Sequence, residues 1–265
     1  MEALWFELCH YRDSSWFPII EVDSYGNTDN NEYYDCDVLI IPADRSEMTQ
    51  FALKCFYNNI PFCHYLAGSR SYSFTHDDIN RQMISLMANF CFAESPEAKK
   101  NLIEMGIPED RILVTGTSHF DGVTMQDIEE HAVPYSPRPY DLILVNPETM
   151  FNRAMNYTEI NKNYIKVRPN EDAEADYKQW SHLEFLYLLH NADNFISNSS
   201  AGHYELPYLQ KYYGSRCKWI NPSQRNKERT PIPPEYCRGA SKIIADWCNK
   251  VDLEWLRTPK RLFEK

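Results

Sequence analysis

The sequence predicts an α/β protein with two doubly wound domains, and three observations support this fold class. From residue 37 onward, short apolar runs alternate with amphipathic stretches of helix length. The apolar runs are continuous, which is typical of parallel strands covered on both faces. The series is interrupted at 133–139, a stretch with three prolines, and then restarts. We therefore predict two parallel-sheet domains that face each other across a cleft.

The predicted elements follow from these runs in chain order. In the first half, strands are expected at 37–42, 61–66, 90–93 and 111–116, with helices at 46–58, 78–89 and 96–105. In the second half, strands are expected at 141–146, 163–168, 194–197 and 218–221, with helices near 182–191, from about Gly202, and over 240–257. The predicted domains are 1–133 and 140–240, followed by a helical tail, 241–265, that can cross back to the first domain.

Composition excludes several classes of protein. The 265 residues are 43% hydrophobic and 25% charged, which suits a folded chain with a sizeable core. The 27 Lys and Arg against 38 Asp and Glu give a net charge of -11, which argues against a surface built for nucleic-acid backbones. No apolar run reaches the roughly 18 residues of a membrane span, and no export signal is recognisable, so we expect a cytoplasmic protein. The eight cysteines form no C-x-x-C pair, so free buried thiols are expected rather than a zinc site or disulfides.

The first candidate site is the segment Asn198-Ser-Ser-Ala-Gly-His-Tyr-Glu205, which follows a predicted strand. Ligands of such sheets lie beyond the carboxyl ends of the strands. Hydroxyl groups and unpaired amides at a helix N-terminus bind anions, and Gly202 would let a diphosphate approach the backbone. Glu205 could accept hydrogen bonds from ribose hydroxyls. The alternative is an ordinary helix cap by Ser199 or Ser200.

The second candidate site combines Asp44 after the first strand with His64 after the next one, and with Asp77 and Asp78 at a helix start. Carboxylates that converge at strand ends suit proton transfer at a sugar carbon. The alternatives are that Asp77 and Asp78 only cap the helix and that His64 is a core histidine.

A third segment, Asn221 to Arg229, places Arg225 and Arg229 after a strand. Their guanidinium groups could pair with phosphates in a bidentate manner, or they could belong to a solvated basic loop.

Taken in order, these segments resemble the UDP-N-acetylglucosamine 2-epimerase family, which has the two-domain GT-B architecture that many glycosyltransferases share. The resemblance covers roughly residues 37–250. The segments that carry it are Ala43-Asp44-Arg45, Ile60-Pro61, His64-Tyr-Leu-Ala-Gly-Ser-Arg70, His76-Asp-Asp-Ile-Asn-Arg81, Asn101-Leu102 to Gly106, Val114-Thr-Gly-Thr117 with Asp121, Arg168-Pro-Asn170, Asn198 to Glu205, and Asn221 to Arg229.

The resemblance implies a UDP-sugar site that needs no metal and no nicotinamide cofactor. The implied proton-transfer residues are Asp44, Asp77, Asp78 and His64. The implied nucleotide-sugar residues are Arg70, Asn80, Arg81, Gly116, Arg168, Asn198, Ser199, Ser200, Gly202, Glu205, Arg225 and Arg229. Among these, Ser199, Ser200, Gly202 and Glu205 are expected to hold the UDP portion.

The sequence also departs from the family pattern. Leu66 stands where the family has a glutamate that is an acid/base candidate, and leucine cannot transfer a proton. The glycine-rich opening of the first domain has no counterpart in 1–31, and the family's histidine is missing from 146–153.

Three functions remain open from the sequence. The first is a UDP-sugar 2-epimerase or its hydrolysing variant, in which UDP leaves by elimination across C1 and C2. The second is a GT-B glycosyltransferase, for which one carboxylate base suffices, with an acceptor that could be a nucleic-acid base. The third is a nucleotide-sugar binding module without catalysis. A homodimer is compatible with each of them.

Overall fold

The computed structural model describes residues 25–27, 37–71, 76–134, 138–146, 161–168, 180–223, 225–227 and 229–263. The described chain divides into two units. The first unit contains the described residues up to Arg70, then 76–121 and 238–263; the second contains Ser71 and the described residues of 122–237. Residues 122–133, assigned to the first domain from the sequence, group with the second unit, and 238–263 group with the first.

The first unit is built on a parallel sheet in the order β1-β2-β3-β4. Its strands are β1 (Leu39–Pro42), β2 (Phe62–Ala67), β3 (Phe90–Ala93) and β4 (Ile112–Val114), and its helices are α1 (Ser46–Tyr57), α2 (His76–Met87) and α3 (Pro96–Glu104), with a 3₁₀ turn at Glu109–Arg111. Helix α3 begins where the sequence predicts it, because Ser95 Oγ accepts a hydrogen bond from Ala98 N at 3.1 Å and Pro96 has no N–H that would need an acceptor.

The second unit contains a parallel sheet in the order β6-β5-β7-β8. Its elements are α4 (Met125–Glu130), β5 (Asp141–Leu144), β6 (Tyr164–Lys166), α5 (His182–Asn191), β7 (Asn194–Ser197), a 3₁₀ turn at Ser200–Gly202, α6 (Glu205–Tyr213), β8 (Lys218–Ile220) and a 3₁₀ turn at Pro234–Cys237. Capping boxes at Thr124 and Ser181 fix the starts of α4 and α5. The predicted α/β class with doubly wound parallel sheets is confirmed.

The tail forms two helices, α7 (Ala240–Cys248) and α8 (Leu253–Arg257), which pack against the first sheet. The ring of Trp247 lies 4.5 Å from that of Phe90, and the guanidinium of Arg111 lies 3.8 Å from the centre of the Trp255 ring. Beyond α8, Lys260 Nζ donates to Ser85 O at 2.7 Å. These contacts bury one face of the sheet.

Six cysteines lie in the described part of the chain, at 55, 63, 91, 217, 237 and 248, and all of them are free thiols there. Cys9 and Cys36 lie outside the described residues. Within the described ranges no helix is long and apolar enough to cross a bilayer.

Asp121 anchors the tail, and its replacement tests this. Its buried carboxylate accepts hydrogen bonds from Gly239 N and from Ser241 N, the latter at 2.9 Å, at the start of α7. Asp121→Ala should lower the free energy of unfolding by about 1–3 kcal/mol, because two buried amides lose their acceptor. The measurement is denaturant unfolding followed by tryptophan fluorescence. Asp246→Ala, on the exposed side of α7, is the matched control, and an equal loss in both variants would contradict the anchor.

Candidate functional site

Polar residues gather in a cluster at the carboxyl edge of each sheet. In the first unit, the cluster surrounds the turn after β1. In the second unit, it surrounds the turn after β7. Both positions agree with the general location of ligand sites in parallel sheets.

His64 holds the turn after β1 by a hydrogen bond to its main chain. Ala43 has a φ of 60°, a left-handed conformation that is uncommon for a residue with a side chain. His64 Nε2 lies 2.8 Å from the Ala43 carbonyl oxygen, and its Nδ1 lies 2.8 Å from Ser85 Oγ. Because the carbonyl can only accept, Nε2 carries the hydrogen and Nδ1 accepts from the Ser85 hydroxyl. His64 thus fixes the backbone that presents Asp44.

The imidazole of His64 is fully buried. Burial lowers its pKa to about 4, against the opposing effect of its bond to Ala43. The ring is therefore neutral at pH 7. His64 is enclosed as a core histidine, and its two ring nitrogens are both engaged.

Arg81 of α2 joins two carboxylates at this edge. Its guanidinium pairs with Asp44 and lies 3.6 Å from Asp78 Oδ1. It also donates to the carbonyl oxygen of Ser69 at 3.0 Å. All of these side chains are largely shielded from solvent. The structure thus brings Asp44, Asp78 and Arg81 together around one positive charge.

Other residues predicted for this site lie around the cluster. Asp77 and Asn80 are half-buried on α2. Arg70 lies at the surface, 3.7 Å from Glu104 Oε2, and lines a small crevice together with Arg81. Gly116, after β4, is buried with a φ of 76°, and its carbonyl accepts from Thr115 Oγ1 at 3.0 Å.

Leu66 occupies a strained position in β2. Its φ is 62°, and the pairing of β2 with β3 shifts register between Tyr65 and Ala67. For a bulky side chain this conformation is an outlier. The bulge turns Leu66 toward the face that carries Tyr65, where it packs against the apolar cluster. No proton-transfer group stands at this position.

Glu94, a carboxylate directly after β3, was not predicted as a site residue from the sequence. Glu94 is 2% exposed, and an acidic residue that deep is unusual. Burial raises the pKa of Tyr65, and the charges of Asp121 and Glu94 raise it further. The sequence does place this carboxylate directly after the apolar run 90–93, where site residues are expected. Because Ser95 next to it caps the following helix, the segment was interpreted only as a helix start.

In the second unit, Asn198 clamps the ends of two neighbouring strands. Its Oδ1 accepts from Asn146 N at 2.7 Å, and its Nδ2 donates to Asn146 O at 2.9 Å. Asn226 Nδ2 donates to the carbonyl oxygen of Asn198 at 2.9 Å. The side chain is fully buried, so Asn198 holds the loops that flank the site.

The residues after Asn198 form a 3₁₀ turn, and the α-helix begins only at Glu205. The prediction of a helix from about Gly202 was therefore wrong by one turn. Ser199 Oγ accepts a hydrogen bond from Ala201 N at 3.3 Å and caps the 3₁₀ turn. A capping role for Ser199 or Ser200 was the alternative interpretation of this segment. Packing explains why residue 202 is a glycine, since a Cβ there would lie 2.2 Å from the ring of Trp219.

Glu205 is the first residue of α6 and is 8% exposed. Burial raises its pKa to about 7, although its own backbone hydrogen bond and the charge of Arg229 act in the opposite direction. Arg229 is also buried; its guanidinium bonds to the Tyr204 hydroxyl and lies 4.7 Å from the centre of that ring. Arg229 thus fixes the residue that precedes the helix.

The loop that carries Arg225 is ordered by side-chain bonds. Asn221 Nδ2 donates to the carbonyl oxygen of Arg225 at 2.7 Å, and Arg225 N donates to Ser223 Oγ at 3.1 Å. His203 Nε2 donates to the carbonyl oxygen of Asn226 at 2.7 Å and ties this loop to the 3₁₀ turn. Arg168 is half-buried after β6. The structure thus gathers Asn198, His203 and the Arg225 loop, while Arg168 follows a separate strand, β6.

Comparison with known proteins identifies the family of the chain. Residues 28–175 match the family model for UDP-N-acetylglucosamine 2-epimerase. The Neisseria meningitidis UDP-N-acetylglucosamine 2-epimerase is 24% identical over 223 residues, which are 69% of this chain and 60% of the relative. The Campylobacter jejuni GDP/UDP-N,N'-diacetylbacillosamine 2-epimerase (hydrolyzing) is 24% identical over 73% of this chain and 58% of its own length. The chain thus spans about three fifths of the length of these relatives.

Solved structures show the same fold. The crystal structure of the Neisseria meningitidis UDP-GlcNAc 2-epimerase bound to UDP-GlcNAc has a TM-score of 0.58 at 17% identity, over 83% of this chain and 78% of that one. A Staphylococcus aureus MnaA–UDP structure has a TM-score of 0.57 at 14% identity, over 82% of this chain and 75% of that one. The GT-B-like fold is thereby confirmed. Since the family model covers more than half of its length, the chain belongs to the UDP-N-acetylglucosamine 2-epimerase family.

Proposed function

We propose that the chain acts on a UDP-sugar by the chemistry of a 2-epimerase. A carboxylate removes the proton at C2 of the sugar, a double bond forms between C1 and C2, and the C1–O bond breaks to release UDP. Return of UDP with a proton at C2 gives the epimer, whereas addition of water gives the free sugar. The observation that carries this proposal is the pair Asp44 and Asp78, held around Arg81 at the carboxyl edge of the first sheet in a chain of this family.

Asp44 is the proposed base. Its backbone is fixed by the buried bond between His64 and Ala43, so its carboxylate is held in place before the substrate arrives. Arg81 compensates part of the negative charge of the two carboxylates. Asp77 and Asp78, on α2, are the further proposed proton-transfer groups. His64 acts through the backbone, because both of its ring nitrogens are engaged.

The second unit is proposed to bind the UDP portion. The hydroxyl of Ser200 is half-buried and makes no hydrogen bond with the described residues, so it can bind a diphosphate oxygen. Glu205 can accept hydrogen bonds from ribose hydroxyls when it is ionised, and Arg225 can balance the charge of the diphosphate. The Neisseria meningitidis structure bound to UDP-GlcNAc supports this class of ligand.

Leu66 removes one acid/base candidate from the proposed reaction. Epimerisation and hydrolysis both return a proton to C2, so both routes depend on the remaining carboxylates. A glycosyltransferase needs one base only, so acceptor-dependent transfer is the competing function.

Incubation with UDP-GlcNAc in D₂O tests the proposed reaction. We expect release of UDP without an added acceptor and deuterium at C2 of the sugar, since the intermediate has lost that proton. Mass spectrometry and proton NMR of the product measure both. UDP release that requires an acceptor and leaves C2 unlabelled would favour a glycosyltransferase, and binding without turnover would favour a binding module.

Two variants separate the proposed roles of the two units. Asp44→Asn should lower kcat by about 10²–10⁴-fold with little change in the Kd for UDP, because it removes only the base.

Glu205→Gln should weaken UDP binding and make it less sensitive to pH near 7, the region in which Glu205 titrates. Calorimetry with UDP at several pH values measures this. Equal effects of both substitutions on UDP affinity would refute the division of roles.

His64 should make the stability of the chain dependent on pH. Its folded pKa of about 4 is below the ordinary value of 6.5, so the unfolded chain binds the proton more readily. The stabilisation is present above pH 6.5 and falls by about 2–3 kcal/mol as the pH drops toward 4. His64→Gln does not titrate and should flatten this part of the curve. Urea unfolding from pH 7 to 4 measures the difference, and parallel curves would contradict it.

A further inference from the structure

A cavity of about 550 Å³ opens at the amino-terminal edge of the second sheet, opposite to the Asn198 turn. Three chain connections line it, at 138–139 before β5, 190–193 before β7 and 214–216 before β8. Its volume lies in the range of small-molecule sites, which is roughly 300–1,000 Å³. The proposed function does not use this cavity.

Two arginines, Arg138 and Arg216, enter the cavity from different connections. Both are exposed, and neither makes an ion pair or hydrogen bond with any described residue. The chain has 38 acidic against 27 basic residues, so a shortage of carboxylates does not explain why these two arginines have no partner among the described residues. Two unpaired guanidinium groups on one concave surface leave planar sets of donors available.

Two acceptors near the cavity are engaged by main-chain or hydroxyl donors. The Asp193 carboxylate accepts from Tyr140 N at 3.1 Å, and the carbonyl oxygen of His190 accepts from Ser215 Oγ at 3.1 Å. Ser215 N donates to Leu209 O at 3.1 Å at the end of α6. The carboxyl-terminal ends of α5 and α6 attract positive charge, which favours arginine at this edge. The guanidinium groups of Arg138 and Arg216 line the cavity without an ion pair or hydrogen bond to a described residue.

His190 adds a further polar group to the wall. Its Nδ1 is buried and has no hydrogen-bond partner among the described residues. Burial lowers the pKa of His190, and the charge of Arg138 lowers it further, against the smaller effect of Glu129. The ring is thus neutral at pH 7 and lies within electrostatic range of Arg138.

We propose that this cavity binds a small phosphorylated molecule, whose phosphate oxygens pair with the guanidinium groups of Arg138 and Arg216. A phosphate dianion offers several acceptor oxygens to two forked donors, and such charge-assisted bonds are among the stronger hydrogen bonds in proteins. The cavity is larger than a phosphate ion, so it has room for an attached sugar or similar group.

NMR titration of the ¹⁵N-labelled chain tests the site. The probes are inorganic phosphate and glucose 1-phosphate at constant ionic strength, and the signals followed are the amides of Gly214 and Ser215 and the ring of His190. We expect saturable shifts at these positions, with an affinity that falls roughly tenfold or more in Arg138→Gln/Arg216→Gln because the paired donors are lost. Arg257→Gln, an exposed arginine of the first unit, is the matched control and should leave the affinity unchanged.

The outcomes decide both the site and its ligand. Tighter binding of glucose 1-phosphate than of inorganic phosphate identifies an organic phosphate as the ligand. Equal affinities mean that the cavity recognises only the phosphate group, and they overturn the proposal of a larger phosphorylated ligand. No saturable shift, or unchanged affinity in the double variant, overturns the site. If circular dichroism shows that the double variant is unfolded, Arg138→Lys/Arg216→Lys replaces it, since lysine keeps the charge but lacks the fork. UDP affinity should be unaltered, and a parallel loss would show that the cavity is not a separate site.

Discussion

A buried side chain that bonds to the main chain of the neighbouring strand is the interaction on which each cluster depends. In the first unit, His64 of β2 bonds to the carbonyl of Ala43 after β1. In the second unit, Asn198 after β7 bonds to both main-chain groups of Asn146 after β5. A hydrogen bond between two buried groups is costly to lose, on the order of 1–3 kcal/mol, because the group left behind stays unsatisfied. Both turns are therefore held in one conformation.

These bonds explain why polar residues far apart in the sequence meet. Parallel strands bring their carboxyl ends to one edge, but the loops that follow could adopt many conformations. His64 fixes the first loop, so Arg81 finds Asp44 at a defined position. In the second unit, His203 and Asn226 extend the same principle, since both bond to main-chain groups rather than to other side chains.

Local sequence predicted most elements because their signals are local. The strands 90–93 and 194–197 and the helix 182–191 were predicted with the boundaries that the structure has, since apolar runs and caps mark their ends. The helix after Ser200 was placed too early because a 3₁₀ turn and the packing of Gly202 against Trp219 intervene. The partners of His64 and of Arg229 could not be predicted, since they depend on tertiary contacts between separate elements. The departures from the family pattern in 1–31 and 146–153 concern segments of which 1–24, 28–31 and 147–153 lie outside the described chain.

Leu66 departs from the family pattern in its side chain, and its left-handed backbone lies at a register shift in β2. Two residues later, Gly68 has a φ of 82°, and a Cβ there would lie 2.2 Å from the carbonyl oxygen of Ala98, so α3 packs directly on this backbone. The path of the chain through 66–68 is thus set by that close approach and by the register shift in β2, independent of the side chain at 66. Leucine bears the strain of the left-handed conformation, which is of order 1–3 kcal/mol, and recovers part of it by packing on the apolar cluster. The backbone at this position is held by that packing, so the proposed proton transfer is assigned to carboxylates on other elements, Asp44 after β1 and Asp77 and Asp78 on α2.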